Sequence, residues 1–299
     1  MKGKNAMKNK ISGKIVALLL TLIIVATSGM PIYAKETGDK ANSFRYENGQ
    51  PIAKAVPFST LSPNAWKKID GKYYSGDGSV IEGAVAKGID VSHHQGTVDW
   101  KKAKEDGVEF AIIRCGFGMN QTKQDDAQWF NNVKGCEENN IPYGVYLYSY
   151  ADTVKKAQSE AEHVLRLIKG HTLAYPVYYD IEEKAVLNKL TAEQLGKIAA
   201  TFVNKVKAEG YQTGIYSNKS NFETFLTDSQ FSQWNKWVAQ YNSAACTYKG
   251  TYQIWQAADT GTIDGVNGAV DINFAMKTTS SSDNNPGTST EKPATSATK

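Results

Sequence analysis

Cysteine, histidine and proline are scarce in this chain, at three, four and eight of 299 residues. Three cysteines, Cys115, Cys136 and Cys246, are too few for a disulfide framework, and their spacing fits no zinc pattern. Of the four histidines, His93 and His94 are neighbours whose side chains diverge, and His163 and His171 lie far along the chain. A metal centre normally takes three or four convergent ligands, so no metal and no other cofactor is expected. No Gly-x-Ser-x-Gly elbow is present, which removes a serine-hydrolase reading. Apolar stretches long enough to span a bilayer are also missing: Ile15–Ala26 is twelve residues, against about 20 for a transmembrane helix.

What that short stretch does resemble is an export signal. Five lysines precede or flank it, small residues follow, and a cut after Ala34 is expected, with an uncleaved anchor as the alternative. Residues 1–34 hold five lysines and no acid, so the mature chain carries 29 basic and 30 acidic residues, a net charge of −1. The apparent excess of positive charge belongs to the leader, and nothing argues for a nucleic-acid partner. The mature protein is expected outside the cell or in its wall, with no stable membrane association, as a monomer. Export permits a disulfide; Cys115, on a strand, and Cys136, on the next helix, are the candidate pair, with three buried thiols as the alternative.

Residues 35–85 read as an N-terminal extension. Within it, Trp66 to Tyr74 carries Asp70-Gly71 between apolar flanks, a type I′ hairpin signal. Its aromatic-glycine texture resembles one unit of bacterial wall-binding repeats, but a single unit cannot stack into an array. Residues 277–299 are Ser/Thr/Pro-rich with almost no apolar side chains, and are expected to form a flexible tail.

Between these, residues 86–276 alternate strand and helix. Strand signals fall at 87–91, 110–115, 142–150, 175–181, 213–216, 236–240, 252–256 and 270–274. Helix signals fall at 100–106, 127–138, 153–168 and 195–208, with Thr191 as an N-cap and Gly210 closing the last one. Eight strands alternating with helices predict an α/β fold, an irregular eight-stranded TIM-like barrel with parallel strands and the last helices missing. A doubly wound open sheet is the alternative.

In such a barrel, reacting groups sit at the carboxyl ends of the strands. Asp180 and Glu182 end the fourth strand two residues apart, on one face, with Cα atoms about 6.5 Å apart. Two acids that close resist joint ionisation, so one pKa rises, and Glu182 is the expected holder of the proton. Asp90 ends the first strand and Asp271 lies in the last. Taken singly, each acid suits a turn; four converging from three strands suit acid/base work on a glycosidic bond. Sugar faces pack on aromatic rings, which makes Tyr148, Tyr150, Tyr179, Trp237, Tyr241 and Trp255 the substrate-binding candidates.

The motifs Gly88-Ile-Asp90-Val-Ser92-His-His-Gln95-Gly96, Pro142-Tyr-Gly144-Val-Tyr146, Tyr175-Pro-Val-Tyr-Tyr-Asp180-Ile-Glu182, Trp237-Val-Ala239-Gln-Tyr241, Trp255-Gln256 and Val270-Asp271-Ile-Asn273 together resemble family 25 of the glycoside hydrolases, the Chalaropsis-type lysozymes. The resemblance runs from about Lys87 to Ala275. It implies an incomplete α/β barrel that hydrolyses the β-1,4 bond from N-acetylmuramic acid to N-acetylglucosamine in peptidoglycan glycan strands. Carried over, Glu182 is the general acid/base, Asp180 assists it, and Asp90 and Asp271 shape the site. Many members carry Tyr-His-Phe on the third strand, where this chain has Tyr146-Leu147-Tyr148. Two other readings stay open: a metal-dependent polysaccharide deacetylase using Asp90, His93 and His94, and a non-catalytic wall-binding protein.

Overall fold

A computed structural model describes residues 67–241 and 243–277, and the backbone of a small ladder between Tyr46–Glu47 and Gln50–Pro51. The expected leader, most of the extension before residue 67 and the expected tail beyond residue 277 lie outside the described residues. No helix among the described residues is long and apolar enough to cross a membrane.

The architecture is a closed eight-stranded barrel. Its strands are β1 (Ala84–Val91), β2 (Phe110–Phe117), β3 (Tyr143–Tyr148), β4 (Val177–Asp180), β5 (Thr213–Asn218), β6 (Asn235–Ala239), β7 (Ile254–Gly261) and β8 (Val270–Met276). They follow one another around the ring, and β1 through β7 are parallel. The eighth departs from the expected parallel order: β8 runs antiparallel to both β7 and β1. Connection length explains this. Residues 262–269 join β7 to β8, whereas a parallel return needs a crossover of a dozen or more residues.

Strands β2 to β7 bury both faces along nearly their whole length. On β2, Phe110 and Ile112 turn inward toward Tyr178, Trp237 and Ile254, while Ala111, Ile113 and Cys115 turn outward beneath the helices. Period-two alternation thus builds two cores, one inside the ring and one around it. Full burial of a Phe or Ile contributes roughly 1.5–3 kcal/mol. Inward glycines make room for the large rings. A Cβ added at Gly88 would stand 2.5 Å from the Phe110 ring, and one at Gly214 would stand 2.5 Å from that of Tyr178.

Helices α1 (Trp100–Glu105), α2 (Trp129–Glu138), α3 (Val154–Ile168), α4 (Lys184–Leu187), α5 (Ala192–Ala208) and α6 (Lys219–Thr224) cover the outside. Thr153 caps α3, and Thr191 caps α5 in a capping box with Gln194. Gly210 follows α5 at φ +87, as a C′ glycine does. No helix is described after β6 or β7. The short α4 and α6 were not anticipated, since neither has room for an apolar periodicity.

Cys115 and Cys136 are both fully buried and free, which corrects the expected disulfide. The Cys115 thiol donates instead to the Tyr146 carbonyl at 3.2 Å. The hairpin Lys67–Ile69/Lys72–Tyr74 forms with Asp70 and Gly71 both at positive φ, as a type I′ turn requires. Tyr73 packs edge-on against Phe274 and its hydroxyl donates to Glu109, which seats the hairpin on β1 and β8.

Candidate active site

The carboxyl ends of β1, β3 and β4 and the amino end of β8 meet at one mouth. Because β8 is reversed, Asp271 reaches that mouth from the start of its strand, and it faces Asp90 as a direct cross-strand partner. Asp180 is the last residue of β4 and Glu182 lies just beyond it in the loop. All four acids line a single cavity enclosing about 680 Å³, part of it open to solvent. Asp90, Asp180 and Glu182 are nearly inaccessible, at 5%, 2% and 2% exposure.

The floor of the cavity is aromatic. Trp237 lies among Tyr146, Tyr178 and Tyr216, with ring centroids at 5.7, 5.4 and 4.3 Å. Two amides tie that floor to the acids. Tyr216 and Tyr241 donate their hydroxyls to Gln256 Oε1, at 2.7 and 2.6 Å. With its oxygen so engaged, Gln256 turns its Nε2 to Asp90 at 2.8 Å and to Asp271 at 3.0 Å. Trp237 Nε1 donates to Asn273 Oδ1 at 2.7 Å, so Asn273 Nδ2 faces Asp90 at 2.7 Å. The phenols and the indole therefore fix which end of each amide meets the carboxylates.

Burial pushes Asp90 up to about 6, against the lowering effect of hydrogen bonds donated by Asn273 and Gln256. Asp180 is held well above the usual carboxylate range by burial first, then by the charges of Glu182 and Asp90, with Arg114 opposing. Its Oδ1 is buried and finds no hydrogen-bond partner among the described residues. Asp180 thus holds its proton well above the pH at which an exposed carboxyl would release it. Asp180 stands between two other acids, and each disfavours its ionisation.

Arg114 and Asp126 sit behind the acids. Arg114 Nε donates to Asp126 at 2.7 Å, and its second guanidinium nitrogen meets His93 Nδ1. Burial raises Asp126, but hydrogen bonding to His93 and the Arg114 charge outweigh it and bring its pKa to about 2. His93 Nδ1 thus lies against both the Arg114 guanidinium and the Asp126 carboxylate.

The six aromatic candidates divide. Trp237 and Tyr148 line the cavity. Tyr241 contributes its hydroxyl to the amide network, and the Tyr150 ring lies tilted beside that of Tyr148 at 4.9 Å. Tyr179 and Trp255 face the other way. Tyr179 stacks on Phe202 of α5 at 3.9 Å, and Trp255 packs on Phe274 and donates to the Gln240 carbonyl. Each is adjacent in sequence to an inward residue, Asp180 or Gln256, so strand alternation sends it outward. Residues the sequence reading did not single out for the site are Gln256, Asn273, Tyr216, Arg114 and Asp259. The first two sat in plain view within motifs; Asp259 had no signal.

A sequence profile, glycosyl hydrolases family 25, matches residues 89–266, more than half of the chain and every strand from β2 to β7. The chain belongs to glycosyl hydrolase family 25. Among its relatives is the uncharacterized protein YegX of Escherichia coli K12, 31% identical over 193 residues, which cover 62% of this chain and 68% of YegX. The autolytic lysozyme of Clostridium acetobutylicum is 27% identical over 186 residues, covering 62% of this chain and 54% of that protein. In fold, the family 25 chain is similar to the modular autolysin LytC of Streptococcus pneumoniae, solved in complex with a synthetic peptidoglycan ligand. The TM-score is 0.62 at 29% identity, over 76% of this chain and 54% of LytC. This chain therefore spans about half the length of the autolysin and of the clostridial lysozyme.

Proposed function

We propose that this family 25 chain is an exported muramidase, hydrolysing the β-1,4 bond from N-acetylmuramic acid to N-acetylglucosamine in peptidoglycan. The observation that carries the reading is the convergence of Asp90, Asp180, Glu182 and Asp271 on one cavity over an aromatic floor. Its relatives supply the substrate class, since an autolytic lysozyme and a peptidoglycan-binding autolysin are among them.

In this reading Glu182 protonates the leaving oxygen and then, as a base, activates the water that completes hydrolysis. The raised pKa of Asp180 keeps a proton on the Asp180/Glu182 pair near working pH, which is the form an acid catalyst needs. Once the proton is spent, the pair carries charge opposite the oxocarbenium-like transition state. Close spacing of the pair leaves little room for water between the carboxyls, which favours retention of configuration. Two routes satisfy retention: Asp180 bonds the anomeric carbon, or it orients the substrate's own 2-acetamido oxygen to do so. Asp90 and Asp271, held by Gln256 and Asn273, set the field around the pair. Trp237 and Tyr148 offer ring surface to the sugars. The leader at residues 1–34 would deliver the enzyme to the wall, where it acts as a monomer.

Mass spectrometry of fragments from digested peptidoglycan tests the reading. New reducing ends on N-acetylmuramic acid are expected. Reducing ends on N-acetylglucosamine, or acetate without chain cleavage, would overturn it. A covalent glycosyl-enzyme trapped on Asp180 would decide between the two retaining routes.

A further inference from the structure

Asp259 is a fifth acid in the cavity, and its presence there is unexpected from its place in the chain. It lies on β7 three residues after Gln256. In a regular strand, residues three apart face opposite sides, so with Gln256 inward Asp259 belongs outside, under the helices. Instead both line the cavity, and Asp259 is 6% exposed. The pairing of β7 with β8 explains the change of face: its register shifts twice, between Gln256 and Ala258 and again between Ala258 and Gly261. Such bulges re-aim side chains near active sites. Here the irregularity carries a carboxylate into the mouth.

The electrostatic setting gives that carboxylate a purpose. The cavity is lined by Asp90, Asp180, Glu182, Asp259 and Asp271, and none of the described lining residues is Lys, Arg or His. Arg114, whose charge reaches Asp180, is buried and bound to Asp126. The Tyr241 hydroxyl sits where the charges of Asp271, Asp259, Asp90 and Glu182 all reach it. Asp180 Oδ1 is buried, lines the same space and lacks a partner among the described residues. Gln256 and Asn273 already supply donors to Asp90 and Asp271. A carboxylate beyond the reacting pair and its supports, in an enclosed site without lining cations, favours a ligand that brings its own positive charge.

We propose that Asp259 is a specificity-determining residue that selects glycan whose glucosamine units carry a free, protonated 2-amino group in place of the acetamide. An ammonium in this cavity forms charge-assisted hydrogen bonds with a carboxylate, whereas an acetamide offers one weaker N–H and a methyl group. The muramic acid units keep their acetamides, so either retaining route is compatible. The proposal rests on the muramidase reading and adds the chemical class of the neighbouring sugar.

The test uses one peptidoglycan preparation, N-deacetylated at its glucosamine units, with half re-acetylated by acetic anhydride. Release of reducing ends gives kcat/KM on each. The wild-type protein is expected to favour the free-amino glycan by about tenfold or more, consistent with a charge-assisted pair. Asp259→Asn and Asp259→Ser should bring that ratio near one, by losing more rate on the amino glycan than on the acetylated one. Asp259→Glu should restore part of the preference. Raising the pH past the amine's own pKa should abolish the wild-type preference, a response that a merely structural Asp259 would not produce. A wild-type ratio of one or below, or a preference that persists in both neutral variants, overturns the proposal. Failure of the underlying reading looks different: the wild-type protein would then release no muramic acid reducing ends from either glycan.

Discussion

Two buried carboxyl centres lie on opposite faces of the same wall. Inside the barrel, Asp90 accepts from Gln256 and Asn273 and is pushed by burial to about 6. Outside it, Glu160 of α3 is fully buried, accepts from the Tyr179 hydroxyl at 2.6 Å, Ser149 Oγ at 2.8 Å and the Tyr150 amide at 2.9 Å, and is pushed by burial to about 7. By pKa alone the outer centre is the better general acid. It does not line the cavity, and Tyr179, stacked on Phe202, helps to seal it. A raised pKa is thus a consequence of burial in both places, and only a cavity with a neighbouring acid turns it into reactivity.

The largest effect that would break this comparison is on the inner centre. Glu182→Gln should lower reducing-end release by about 10³-fold, the scale of lost general acid/base catalysis. Its melting temperature should stay within about 2 °C of the parent. A loss of less than tenfold would remove Glu182 from the reaction. Phe202→Ala attacks the outer seal and should destabilise by about 3–5 kcal/mol, the usual range for emptying a buried aromatic site. At roughly 2–4 °C per kcal/mol, that is a fall of about 10 °C by calorimetry, with kcat of the folded enzyme kept within about threefold.

Smaller effects sharpen the contrast. A Glu160 pKa raised in the fold from 4.5 to about 7 means the native state binds more protons between those values. Stability from this group is present at pH 4.5 and below, and is lost as pH rises through about 7, by at most about 3 kcal/mol. Glu160→Gln should flatten that decline in denaturant titrations across pH 5–8; an unchanged slope would rule it out as the source. Smallest is Gln256→Ala, expected to lower kcat about tenfold through loosened carboxylates. Because Gln256 lowers the Asp90 pKa, its removal should move the Asp90 titration upward, observable in the acidic limb of the pH–rate profile.

Much of the fold was legible because each strand is a short apolar run between turn signals, and because Thr191 and Gly210 mark helix ends by local chemistry. The direction of β8 was also within reach: residues 262–269 are too few for a parallel crossover, a constraint of length rather than pattern. Asp180 and Glu182 could be read from spacing, and the same alternation, applied one residue earlier, excludes Tyr179 from the cavity. Asp259 was out of reach, since period-two reasoning places it outside and a bulge leaves no mark in composition. The amide network was hidden for another reason. Gln256 and Asn273 matter through which atom faces which partner, and that depends on Tyr216, Tyr241 and Trp237 from other strands. The free cysteines belong with these, because a buried thiol packs as a small apolar side chain without needing a bond.

The reversed final strand has an architectural corollary. Since β8 descends, the chain leaves the ring at the floor, where the Lys277 amide donates to the Gly83 carbonyl at 2.6 Å, beside the point at which β1 sets out. Entrance and exit of the barrel are therefore neighbours at the pole opposite the cleft. Anchors, spacers or further modules grafted at either junction would tether the catalyst by its base, leaving the rim clear to ride along a glycan cable.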